Sequence, residues 1–250
     1  MKLNTNAVDI KLIALDMDGT LLNEKHLVSE ENQRAIQDAQ DQGVHVVLST
    51  GRSLRTCKEH ADSLRLMSYL VTVNGSEIWN EKRELVERNT VKSELVQWMW
   101  ELTKMYQTKY WAISPQGNWF DDMPDDIHDR EWLKFCFNTK DDAIREKIML
   151  ALHSKGEFEI TNSSPRNIEV NAVGINKAKA LTRVCKLLGI SMQNVMSVGD
   201  SLNDLAMIRE AGLGIAMENA QPIVKETADW VTATNTEDGV ALAIRKWVLN

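Results

Sequence analysis

Cysteine is scarce in this chain of 250 residues: Cys57, Cys136 and Cys185 are odd in number, far apart and in no CxxC pair. That pattern excludes a disulfide framework and a cysteine zinc site, and the expected setting is reducing and cytoplasmic. Long apolar runs are missing as well, with nothing near the roughly 20 residues that span a bilayer. The start, Met1-Lys2-Leu3-Asn4-Thr5-Asn6, lacks the apolar stretch of a signal peptide, so neither membrane insertion nor export is expected. Positive charge is in deficit, 29 Lys and Arg against 36 Asp and Glu, for a net charge of −7. A field of that sign repels nucleic acid and anionic membrane surfaces, so neither is expected as a partner. The five histidines, His26, His45, His60, His128 and His153, are scattered; none is nominated as a ligand. Proline-rich linkers, internal repeats and low-complexity tracts are absent. Tyrosine and phenylalanine are few, three and four, against eight tryptophans.

What is present is an ordinary folded composition, 43% hydrophobic and 26% charged, with enough chain for one or two domains. Ile10 to Leu15 is a short aliphatic run ending at Asp16, as a buried parallel strand would. A helix follows, with Ser29 as N-cap, Glu30 and Glu31 in its first turn, Ala35, Ile36 and Ala39 on one face and Gly43 just past its end. Further apolar runs, Val44 to Leu48 and Tyr69 to Val73, end at Thr50-Gly51-Arg52 and Asn74-Gly75. This alternation predicts an α/β fold, a Rossmann-like doubly wound parallel sheet.

The rhythm changes near Glu84. Ser93 precedes an amphipathic helix, Ala143 to Leu152 is another, and short, partly alternating strands are expected at 110–113, 118–120, 133–137, 158–161 and 168–170. Residues 84–170 are therefore read as an inserted α+β cap, and residues 1–83 with 171–250 as the core. The doubly wound pattern then resumes with a helix from Lys177 to Leu188, a strand from Val195, a helix over 202–211, a last strand at 213–216 and a C-terminal helix from Asp238.

In an open parallel sheet the carboxyl ends of the strands lie along one edge, so distant residues converge there. Asp16 and Asp18, Thr50-Gly51, Asn74-Gly75, and Asp200 with Asn203 and Asp204 each follow a predicted strand. Three carboxylates in one pocket repel unless a cation neutralises them, and an all-oxygen set without His or Cys favours Mg²⁺. A carboxylate is a competent nucleophile at phosphorus, Lys177 can balance phosphoryl charge, and a second carboxyl can protonate the leaving oxygen and then activate water.

Asp16-Met17-Asp18-Gly19-Thr20-Leu21-Leu22, Ser49-Thr50-Gly51-Arg52, Asn74-Gly75, Asn176-Lys177 and Gly199-Asp200-Ser201-Leu202-Asn203-Asp204 resemble the ordered motifs of the haloacid dehalogenase superfamily. The likeness is to Cof-type phosphatases with a type-IIB cap, and Ala216-Met217-Glu218-Asn219-Ala220 is similar to that group's C-terminal segment. The resemblance implies Asp16 as nucleophile and metal ligand, Asp18 as acid/base with its carbonyl on the metal, and Asp200 as a further metal ligand. It implies that Thr50, Gly51, the Met17 amide, Lys177 and Asn203 hold the phosphoryl oxygens, and that Asp204 orients Lys177 or a metal-bound water. Ala178 and Glu218 stand where the family often has glycine. ATPases of the superfamily carry Thr where Asp18 stands, so a carboxyl there favours hydrolysis. Arg52 either binds substrate phosphate or pairs with a nearby carboxylate; Asn74 and Trp119 are substrate candidates.

The insert carries five of the eight tryptophans, Trp98, Trp100, Trp111, Trp119 and Trp132, and 16 Asp and Glu against 11 Lys and Arg. Trp98 reads as core and Trp119, in an expected hairpin, as a residue that stacks on substrate. The acidic stretch Asp121 to Glu131 is either a substrate-facing rim or a solvated loop. The expected function is Mg²⁺-dependent hydrolysis of a small phosphorylated metabolite, such as a sugar phosphate, through an aspartyl-phosphate. The alternatives are a phosphomutase of related fold and a non-catalytic phosphate sensor; oligomeric state is left open.

Overall fold

The computed structural model describes residues 8–249, so the expectation about the first six residues lies outside the described residues. The central strand β1, Leu12–Leu15, is wholly buried. On one side of it run β2, His45–Ser49, and β3, Leu70–Thr72; on the other run β11, Val195–Gly199, β12, Leu213–Ala216, and β13, Trp230–Val231. These six strands are parallel, with Leu12 in register with His45 and Val195.

The alternation of β1 explains both layers. Ile13 and Leu15 face α1, Glu30–Asp41, α2, Leu54–Ser63, and α8, Gly239–Trp247, while Leu12 and Ala14 face α5, Lys177–Leu188. The short helices α6, Leu205–Glu210, and α7, Pro222–Thr227, close the β11 and β12 crossovers. Ser29 caps α1 by accepting the Asn32 amide, as its sequence predicts. The sheet is thus the doubly wound α/β core that the strand–helix rhythm implies.

An antiparallel hairpin, β4, Glu77–Trp79, and β5, Leu85–Arg88, extends the core sheet beyond β3. This corrects the expected start of the insert at 84: the chain leaves the core after Arg88, because Leu85–Arg88 pairs with the core sheet. A short strand with an exposed, charged face reads alike for either sheet, so its sequence held no sign of its partner. At the other end, β10, Asn167–Ala172, stays in the second sheet two residues past the expected boundary of 170. The edge strand β13, only two residues long, falls below any periodic signal. The helix expected over 202–211 divides into a 3₁₀ turn, Leu202–Asp204, and α6.

The second sheet has the order β7-β6-β8-β10-β9, all antiparallel, from β6, Lys109–Ser114, β7, Gly117–Phe120, β8, Lys134–Asn138, β9, Phe158–Thr161, and β10. Its one face is apolar and is covered by α3, Ser93–Tyr106, and α4, Asp142–Lys155, around fully buried Trp132, Phe135 and Phe137. Its other face carries Ile113 and Leu133, which meet Val73 of the core, with Trp111 packed beside them. That second face closes over the carboxyl edge of the core sheet. No helix among the described residues is long and apolar enough to cross a membrane.

Candidate active site

Asp16 follows β1 directly, and Asp200 follows β11, the neighbouring strand, so the two carboxylates meet at one sheet edge. Lys177, the first residue of α5 and 0% exposed, reaches the same point. Its Nζ donates to Asp16 Oδ1 at 2.6 Å and to Asp204 Oδ1 at 2.6 Å. The other oxygen of Asp204 accepts the amides of Asp200 at 2.9 Å and Ser201 at 3.0 Å. Asp200 accepts the Thr20 hydroxyl at 2.9 Å and the Ser201 hydroxyl at 2.8 Å. Two glycines make the crowding feasible. A Cβ on Gly19, whose φ is +82°, would stand 2.7 Å from an Asp200 oxygen, and one on Gly199 would stand 2.5 Å from the Asp204 Cβ.

A cavity of about 270 Å³ opens over this cluster, between the core and the polar face of the second sheet. Asp16, Asp18, Gly51, Arg52 and Asn203 line it from the core, and Trp111, Asn118, Phe120, Lys134 and Glu169 line it from the insert. The Met17 and Gly51 amides make no hydrogen bond to any described residue, which leaves two N–H donors free beside Asp16. Thr50 is buried, and its hydroxyl accepts the Arg52 amide at 3.1 Å. A buried carboxylate beside an ammonium, with free amides around it, suits charge that develops on a transferring oxyanion group.

A family model of the haloacid dehalogenase-like hydrolases matches residues 13–148 and 118–244. The chain belongs to that family. The Bacillus subtilis protein 5-amino-6-(5-phospho-D-ribitylamino)uracil phosphatase YcsE is 57% identical over 249 residues, covering 100% of both chains. A solved haloacid dehalogenase-like hydrolase from B. subtilis superposes with a TM-score of 0.87 at 25% identity, over 94% of this chain and 99% of that one. The subclass IIB sugar phosphatase BT4131 shares the fold, with a TM-score of 0.81 at 23% identity over 94% and 98%. This hydrolase is accordingly a phosphatase of the Cof type.

The electrostatics of the cluster call for a cation. Burial pushes the Asp16 carboxyl well above its usual range, against the pull of Lys177 and with the repulsion of Asp204 and Asp200 added. Burial also pushes Asp200 up, to about 6, again with Asp204 repelling it. Burial alone would lower the Lys177 pKa, but Asp16 and Asp204 hold it above its ordinary value, so the ammonium stays charged. One ammonium against the three carboxylates leaves the pocket two charges negative when all are ionised. Oxygens of Asp16, Asp200 and Asp204 lie within 4.8 Å of one another, and the buried Asn203 Oδ1 has no protein partner among the described residues. A hard divalent cation fits this all-oxygen set. Lys177 and two amides take up both Asp204 oxygens, each Asp200 oxygen accepts a single hydroxyl, and Asp16 Oδ1 accepts Lys177, which leaves Asp16 Oδ2 without a hydrogen bond from any described residue.

Arg52 lines the cavity but is already paired, and other expected site residues fall outside it. Arg52 pairs with Asp18, Nε to Oδ2 at 2.7 Å and Nη2 to Oδ1 at 2.5 Å, which selects the carboxylate-pairing alternative in this arrangement. Asn74 is buried with a positive φ of 58°, donates to Glu169 at 2.6 Å and accepts from Asn203 at 3.3 Å. It clasps the insert to the core and does not line the cavity. Trp119 also misses the cavity: it stands opposite Ala112 on the helix-covered face, and Arg130 lies 4.8 Å over its ring. Asp121, Asp122, Asp125 and Asp126 are likewise outside it; Asp121 accepts the Tyr110 amide and Asp126 pairs with Arg130. Glu218 is tied to Lys225 at 2.9 Å.

Sequence reasoning missed Trp111, Asn118, Phe120, Lys134 and Glu169. The missing signal was strand parity. Trp111 pairs with Phe120 and Ile113 with Asn118, so these face the cleft while Ala112 and Trp119 face the helices. Lys134 and Glu169 form an ion pair at 3.3 Å, both 3% exposed, and Lys134 donates to the Gly51 carbonyl at 3.0 Å. Burial would raise the Glu169 carboxyl, but Lys134, Asn74 and Ser163 together hold it below its ordinary value.

The raised Asp200 carboxyl gives a test whose sign is fixed. A carboxyl whose folded pKa is pushed up to about 6 contributes stability below its unfolded value and loses it as pH rises through the folded one, on the order of 3 kcal/mol at most. With chelator present, stability should therefore fall between about pH 4 and 6 through this group. A divalent cation that binds the ionised form, tested as Mg²⁺, should raise the melting temperature more at pH 7.5 than at pH 5. Equal increments at both pH values would contradict the assignment of Asp200 as a cation ligand.

Proposed function

We propose that this phosphatase hydrolyses a small organic phosphomonoester in a Mg²⁺-dependent reaction, with Asp16 as nucleophile and Asp18 as acid and base. The observation that carries the reading is the placement of Asp16, held at 2.6 Å by the Lys177 ammonium, on the floor of a cleft with Asp18 at its mouth. An Asp16 oxygen attacks phosphorus, the bond to the leaving oxygen breaks, and Asp18 delivers a proton to that oxygen. Asp18 then takes a proton from water, whose oxygen attacks phosphorus and releases phosphate from Asp16. Lys177, the Met17 and Gly51 amides, Thr50 and Asn203 steady the phosphoryl oxygens. Mg²⁺, held by Asp16, Asp200 and the Asp18 carbonyl, supplies charge neutralisation when bound.

Arg52 acts on this sequence through Asp18. The bidentate pair keeps Asp18 turned toward the guanidinium, so entry of a dianionic phosphate that attracts Arg52 frees the carboxyl for proton transfer. The insert, residues 84–170 by sequence pattern and 89–172 by its strands, serves as the cap that excludes water and selects the leaving group.

As substrate we propose 5-amino-6-(5-phospho-D-ribitylamino)uracil, the compound named for the B. subtilis relative that aligns from end to end. A cleft with a phosphate-binding floor, polar walls and aromatic side chains near its mouth is compatible with a phosphorylated polyol that carries a planar ring. The three cysteines, all free and buried, accord with a reducing, cytoplasmic setting.

Asp16→Asn should reduce turnover by at least about 10³-fold, in keeping with loss of a covalent nucleophile, in a Mg²⁺-supplemented phosphate-release assay; undiminished turnover would refute the covalent mechanism. For Asp18→Asn the expectation is a rate loss of roughly 10²–10⁴-fold with a phosphorylated protein detectable after acid quench. Normal turnover without accumulation would remove Asp18 from its acid/base role.

A further inference from the structure

The cleft has a wall that the phosphoryl chemistry does not use. Trp111 on β6 and Phe120 on β7 stand directly opposite each other in register, both on the face toward the core. Trp111 is held from behind by Ile113, Leu133 and the core residue Val73. Phe120 is 65% exposed, the most exposed of the aromatic rings that pack in or against the cap. An uncovered phenyl ring beside a fixed indole, at the rim of a cavity, presents apolar surface that the fold itself leaves in water. Two positions along the same strand, Asn118 shares that face, and its side-chain amide makes no hydrogen bond to any described residue. The wall therefore combines aromatic surface with one free donor and one free acceptor.

We infer that Trp111 and Phe120 are specificity-determining residues that stack against a planar heteroaromatic ring of the leaving group, while the Asn118 amide pairs with the edge of that ring. The inference rests on the cleft being a phosphomonoesterase site, as proposed above. The chemistry favours a ring over a bare polyol on two counts, and the placement of the wall adds a consequence for the insert. Polyol hydroxyls gain little from an aromatic face, whereas a flat ring does so whatever its substituents. A side-chain amide matches the alternating N–H and C=O groups of a cyclic imide or amide. The wall belongs to the insert while the phosphoryl floor belongs to the core, so one molecule bound at both ends draws the insert onto the core.

The reaction offers a direct comparison, because D-ribitol 5-phosphate is the ring-free analogue of 5-amino-6-(5-phospho-D-ribitylamino)uracil, with a hydroxyl in place of the ring-bearing nitrogen. Wild-type protein should hydrolyse the ring-bearing compound with the higher kcat/KM. Phe120→Ala, at a solvent-exposed position where folding is not at stake, should lower kcat/KM for the ring-bearing compound about 10-fold, a loss within the range of one stacking contact. It should leave that for D-ribitol 5-phosphate within about twofold. Asn118→Ala should act the same way with a smaller loss, and both effects should lie chiefly in KM. If wild-type protein hydrolyses both compounds with equal kcat/KM, or if Phe120→Ala lowers both alike, the aromatic wall is not a ring subsite. If the wild type hydrolyses neither compound while still releasing phosphate from a generic aryl phosphate, the substrate proposed above is wrong and the ring subsite falls with it, a result separable from failure of the wall alone.

Discussion

The site depends on one buried cation. Lys177 is fully enclosed and bonded at 2.6 Å to both Asp16 and Asp204, so it links the end of β1 to the loop after β11 through the first turn of α5. Such a contact is costly to bury and still costlier to break, since removing one partner leaves an uncompensated charge in a dry pocket. Asp204 then fixes the turn by accepting two successive amides, which places Asp200. Three chain segments that are far apart in sequence are thus registered to one another by a single ammonium. The surplus of negative charge that remains after this pairing is what suits the pocket to a divalent cation.

The cap completes the site by a different principle. Its sheet alternates, with one parity buried under α3 and α4 and the other facing the core. The outward parity is where Trp111, Asn118, Phe120, Lys134 and Glu169 lie. Asn74, in a left-handed conformation, and the buried Lys134–Glu169 pair join that face to the loops after β2 and β3. The core floor of the cleft and its insert wall are therefore mechanically connected, although they belong to different sheets.

Much of this was legible in the chain itself. The aliphatic run before Asp16 and the helix signals around Ser29, Gly43 and Lys177 announce the doubly wound core, and the spacing of the motifs announces a shared sheet edge. Strands β6 to β10 were also visible as short alternating runs. The hairpin Glu77–Arg88 was not, because an edge strand with charged residues carries no mark of which sheet it joins. Nor was the true aromatic wall: composition drew attention to Trp119, and a single step along the strand turned that ring toward the helices. The acidic stretch 121–131 was conspicuous by charge alone, yet its carboxylates satisfy local amides and Arg130 outside the cleft.

By itself the sequence determined the fold class, the family and the set of groups available for phosphoryl chemistry, because those follow from local periodicity and from residue types after strand ends. The tertiary structure alone decided which partners those groups hold: Arg52 on Asp18, Asp204 on Lys177, and Asn74 on Glu169. It also decided which side of the cap sheet faces the substrate. The reason is physical: pairing and facing depend on register between distant strands, where a shift of one residue exchanges the two faces and leaves composition unchanged.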